Sequence, residues 1–127
     1  MSRNKIYSTP YFVLFFAGVL FGWASQAAAH AHLKAETPAA NSTVSSPQQL
    51  ILKFSEGLEI KFTAIKVTGP DAKPAATGAP SLDPNDNTSL IVPITGGLTS
   101  GKYRVDWHAV STDSHKTQGS YTFTVKP

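Results

Sequence analysis

The chain has 127 residues, with eleven Lys and Arg against eight Asp and Glu, and no cysteine. That length suits one small domain with a single core, and the missing thiols exclude disulfide staples and thiolate chemistry alike. The formal charge of +3 suggests a basic protein only until the first thirty residues are read separately.

Arg3 and Lys5 open the chain, residues 11–23 form an apolar run broken by Gly18 and Gly22, and Ala27-Ala28-Ala29 supplies a small-x-small cleavage signal. Together these features predict a secretory signal peptide over 1–29; the run is too short for a comfortable membrane span. Removing it takes away two cations, so nine basic residues face eight acids and the charge falls to +1. Neither a nucleic-acid footprint nor a polybasic membrane patch is then expected. The one methionine, Met1, goes with the leader. Cleavage after Ala29 leaves His30 as the first residue of a secreted domain spanning 30–127, its free α-amino group beside its imidazole. Cleavage after Ala31, where Ala29-His30-Ala31 is again small-x-small, would make His32 the first residue instead.

From His32 onward the apolar period is two rather than 3.6. Residues 32–36, 50–54, 64–67, 89–92, 103–107 and 121–125 read as strands rich in β-branched and aromatic side chains. Thr37-Pro38, Ser46-Pro47, Glu56-Gly57, Gly69-Pro70, Asp83-Pro84-Asn85 and Gly96-Gly97 punctuate them as turns. The 73–87 segment, rich in Pro, Ala, Gly and Asp, has no periodicity and reads as a loop. No long amphipathic helix, internal repeat or linker is present. The expected fold is a small, all-β antiparallel sandwich of immunoglobulin-like or Greek-key type. Residues 98–103 resemble the corner at which a tyrosine starts an inner strand and bonds back across the turn. Alternation puts Tyr103, Val105 and Trp107 in the core and Arg104, Asp106 and His108 in solvent.

The candidate chemistry lies near the end of the chain. If Asp113 and His115 sit on an extended segment, their i, i+2 spacing points both side chains to one face, roughly 6 to 7 Å apart at Cα. His30 can add an amine and an imidazole nitrogen, which makes three nitrogens and a carboxylate oxygen in all. Such a sulfur-free set suits a tetragonal divalent ion and, by the Irving-Williams order, Cu(II); tetrahedral zinc is the runner-up. One Cu(II) ion is expected, with affinity falling as acid protonates the ligands. A second arrangement stays open. A terminal amine, two backbone amides and His32 in third position form a square-planar copper chelate by themselves, leaving Asp113 and His115 as spectators.

The residues His30-Ala31-His32-Leu33, Thr37-Pro38-Ala39-Ala40, Leu52-Lys53-Phe54-Ser55-Glu56, the 98–107 strand and Ser111-Thr112-Asp113-Ser114-His115-Lys116-Thr117-Gln118-Gly119 resemble the CopC family of periplasmic copper-binding, copper-resistance proteins along essentially the whole mature chain. The resemblance implies a CopC-like, cupredoxin-like β-sandwich that binds Cu(II) through the amine and imidazole of His30 together with Asp113 and His115. It makes Glu56 a candidate outer or weak ligand. Members with a Cu(I) site carry a methionine-rich loop where this chain has the methionine-free 69–87 segment, so the similarity points to the short, methionine-poor, YobA-like branch. The expected function is a periplasmic carrier or buffer, monomeric and not an enzyme, since Asp113 fills a coordination position that oxygen would need; the resemblance implies copper exchange with a CopD-like inner-membrane transporter. The competing readings are a copper oxygenase built on an N-terminal histidine chelate and a structural sandwich without metal.

Overall fold

The structure, a computed structural model, describes residues 31–127. The expected leader over 1–29, its cleavage point after Ala29 and the candidate ligand His30 lie outside the described residues.

Eight strands build two four-stranded sheets. They are β1 (Leu33–Thr37), β2 (Thr43–Val44), β3 (Gln49–Phe54), β4 (Ala64–Thr68), β5 (Ser81–Asp83), β6 (Asp86–Pro93), β7 (Gly101–Val110) and β8 (Lys116–Val125). One sheet has the order β1-β3-β6-β5 and the other β2-β8-β7-β4. Every strand pair is antiparallel except β2 with β8, which run parallel. The sandwich expected from the period-two pattern is therefore present, with one parallel pair at an edge.

The sheets face each other through residues that alternate inward. Leu50, Leu52 and Phe54 from β3 and Leu90 and Val92 from β6 meet Tyr103, Val105, Trp107 and Ala109 from β7 and Tyr121, Phe123 and Val125 from β8, all buried. Each large side chain of this kind contributes about 1.5–3 kcal/mol on burial. Arg104 and His108 point the other way and are exposed, and Arg104 pairs with Asp106 at 2.9 Å. Tyr103 donates its hydroxyl to the Thr99 carbonyl at 2.8 Å and its ring stacks on Phe123, so the tyrosine corner expected at 98–103 exists.

Two strands have no counterpart in the sequence reading. β5 lies inside the 73–87 stretch expected to be a loop. It is only three residues long, too short to show alternation, and is held by pairing with β6 while Leu82 packs on the core. β2 is shorter still and exists through its pairing with the end of β8. A 3-10 turn, Ile60–Phe62, leads into β4.

The β7–β8 hairpin, which carries the candidate site, depends on one glycine. Trp107 lies opposite Gly119, and a Cβ at Gly119 would stand 2.7 Å from Trp107 Cζ2. The indole therefore occupies the space that any other side chain would need, and it packs edge-on against Phe54 with ring centroids 5.1 Å apart.

Candidate metal centre

β7 and β8 run as strands to Val110 and from Lys116, so Asp113 and His115 fall in the turn between them rather than on an extended segment. Three of the five residues at 111–115 are Ser or Asp, side chains that bond locally to the backbone and favour turns. The Ser111 N–H donates to the His115 carbonyl at 2.9 Å and the Ser114 N–H to the Ser111 carbonyl at 2.8 Å. Ser114 has a left-handed backbone, φ 75°. The tight closure replaces strand alternation as the reason the two candidate side chains meet.

Within the turn, His115 Nδ1 is 3.1 Å from Asp113 Oδ1. The hydroxyl of the fully buried Ser111 donates to the same oxygen. That hydroxyl, followed by His115, holds the Asp113 carboxyl down at about 2, so it is a carboxylate at any physiological pH. The two side chains remain 42% and 48% exposed for Asp113 and His115, open enough for an ion to approach. Two donors at right angles on a first-row metal with bonds of about 2.0–2.1 Å stand about 2.9 Å apart, close to the separation seen here.

Two other segments converge on this turn. Leu58 bridges to Ser111 and the Thr112 N–H donates to the Gly57 carbonyl at 2.9 Å, which brings the 55–58 stretch, including half-buried Glu56, alongside. The start of the described chain is bonded both to β8 and to the 55–58 stretch. Thr117, two residues after His115, donates its hydroxyl to the carbonyl of fully buried Ala31 at 2.7 Å. Ser55 then bonds His32 twice: its hydroxyl accepts from the His32 N–H at 2.9 Å and its N–H donates to the His32 carbonyl at 2.8 Å. The His32 amide nitrogen is thus engaged in the fold, which counts against the self-contained terminal chelate that would need that nitrogen.

Asp113 and His115 are therefore together, while His30 is outside the described residues. Among the described residues, no group of three or more His, Asp or Glu is disposed to hold a metal, so Glu56 is not gathered with the pair into such a group. Sequence reasoning missed the three hydroxyls that shape the site. Ser111 had a usable signal, a hydroxyl residue two before an Asp in a turn. Ser55 and Thr117 had none, since their partners lie 23 and 86 residues away.

A CopC domain model matches residues 33–126, nearly all of the described sandwich. The chain belongs to the CopC family. It is 48% identical over 99 residues to protein YobA of Escherichia coli K12, covering 77% of this chain and 80% of that one. It is 42% identical over 118 residues to copper resistance protein C of Escherichia coli, covering 86% and 91%. Among solved structures, PcoC, a methionine-rich copper resistance protein from Escherichia coli, superposes with a TM-score of 0.70 at 41% identity, covering 77% of this chain and 100% of that one. The CopC β-sandwich is thus both the matched family and the observed fold. One departure bears on the chemistry: PcoC is described as methionine-rich, whereas this CopC chain has only Met1.

Proposed function

We propose that this protein is a periplasmic Cu(II) carrier or buffer in copper homeostasis and resistance, a binding protein rather than an enzyme. One ion is its cargo, held by the amine and imidazole of His30 after leader cleavage at Ala29, together with Asp113 and His115. The observation that carries the reading is the 3.1 Å approach of His115 Nδ1 to Asp113 Oδ1 beside a chain start tied down at Ala31 by Thr117. The reading requires the residue that precedes Ala31 to reach Asp113 and His115.

The oxidation state follows from the donors. Cu(I) prefers thiolate or thioether sulfur, and the chain lacks cysteine and, once processed, methionine. Imidazole, amine and carboxylate favour Cu(II), so reduction should release the cargo. An inner-membrane copper transporter of the CopD kind is the proposed exchange partner, and the protein acts as a monomer.

The test is competition for Cu(II) against a chelator of known affinity, comparing the exported protein, a His115→Ala variant and a form with Gly-Ser placed before His30. Both altered forms should bind far more weakly while keeping the β-sheet circular dichroism of the parent. Equal affinity in all three would refute the reading.

A further inference from the structure

The outer face of the β2-β8-β7-β4 sheet is unlike the rest of the molecule in charge. Lys66 on β4, Lys102 and Arg104 on β7 and Lys116 on β8 alternate with the buried core positions and point outward, and Lys61 precedes them in the 3-10 turn. Against these five cations the face carries one acid, Asp106, already paired with Arg104. The remainder of the domain holds four basic residues and seven acids. A nearly neutral domain is therefore polarised, about +4 on one face and −3 elsewhere. Glu59 and Asp113 border the face, and counting both into it still leaves +2.

At the end of this face nearest the candidate metal turn lies an open cleft of about 600 Å³. Lys61 and Lys116 supply its cationic walls, Phe62 and Val110 its apolar ones, and Ser114 of the turn forms one side. Phe62 is 62% exposed, the one large hydrophobic side chain so exposed among the described residues. A partly exposed aromatic beside a charged rim is the usual composition of a protein-docking anchor.

We propose that this cleft and the cationic face beside it dock a protein partner that presents carboxylates around one apolar side chain, seated against the 111–115 turn. Two alternatives fit less well. A bilayer surface is engaged by a broad apolar face of several side chains, and here a single aromatic sits in a concave wall. A second copy would have to bring its acidic side to this face, a head-to-tail contact that builds a ring or a filament rather than the common two-fold dimer. The role given to the docking, exchange of the cargo held at the turn, rests on the copper reading above; the docking itself does not.

The test uses the copper-free, 15N-labelled exported protein at low salt, titrated with an acetylated and amidated pentapeptide, Glu-Asp-Leu-Asp-Glu. Amide shifts should concentrate at residues 61–66, 108 and 114–116. The Lys61→Glu, Lys116→Glu double variant should weaken binding at least about tenfold, Phe62→Ala should weaken it further, and Lys34→Glu on the other sheet should not. Scattered shifts, no shift at millimolar peptide, or indifference to the variants would overturn the proposal. So would the same amides responding to vesicles of phosphatidylglycerol and phosphatidylethanolamine but not to peptide, or to protein concentration alone. Peptide binding that persists in a His115→Ala variant unable to bind copper separates this proposal from the copper reading, and either can fail without the other.

Discussion

Replacing Gly119 by Ala tests how the hairpin that carries the metal turn is held. The new Cβ would stand 2.7, 3.0 and 3.2 Å from Trp107 Cζ2, Cε2 and Nε1, where ordinary contact begins near ~3.5 Å, so the indole must retreat by roughly 0.5–1 Å. It has little room to do so, because Phe54 lies edge-on against it at 5.1 Å and Trp107 is only 9% exposed. Overpacking of this kind costs about 1–3 kcal/mol, while loss of glycine's freedom in the unfolded chain returns about 0.4–1. The net expectation is a loss of about 1–2 kcal/mol, read as a Tm lower by roughly 4–16 °C for a domain of this size. Thermal and urea unfolding should be followed together with tryptophan fluorescence, whose emission should change in the folded state as the ring moves. A variant as stable as the parent, with unchanged emission, would refute the packing argument.

Other substitutions probe the site and the frame separately. Thr117→Val keeps the branched shape but removes the bond to the Ala31 carbonyl; at about 0.5–1.5 kcal/mol for that bond, Cu(II) affinity should weaken by up to roughly tenfold, and chelator competition with a matched Thr124→Val control checks it. Asp86 is held well below the ordinary 3.8 of its carboxyl by Lys53 first and then by Thr88 and Ser89. A depressed pKa stabilises the fold above the unfolded value and is lost as pH falls on toward the folded one, so Asp86→Asn should be less stable than the parent at neutral pH and the gap should begin to narrow below about pH 4 and keep shrinking as acid is added; urea midpoints across that range measure it. Tyr103→Phe removes the corner bond to Thr99 and should cost about 1 kcal/mol in urea unfolding without altering copper affinity.

The frame was readable wherever burial on one face imposed strict alternation, as in β3, β7 and β8. It was not readable in β2 and β5, whose two and three residues pair only because longer neighbours offer an edge. The pairing of Asp113 with His115 was legible from their spacing, but a turn and not strand alternation brings them together. The expected strand ends at Trp107, while β7 continues to Val110, and that extension leaves the pair in the turn that closes the hairpin. Ser111, just past the end of that strand, then donates its hydroxyl to Asp113. Ser55 and Thr117 act through bonds to a distant stretch of chain, and local pattern carries no trace of such contacts.

Oxidised copper is proposed to sit between the processed terminus and the 111–115 turn. Electron paramagnetic resonance of the Cu(II)-loaded exported protein beside its Asp113→Ala and His115→Ala variants tests it most directly. A tetragonal signal with coupling to imidazole and amine nitrogen is expected, shifting in both variants. A signal of four planar nitrogens, the same in all three proteins, would contradict it.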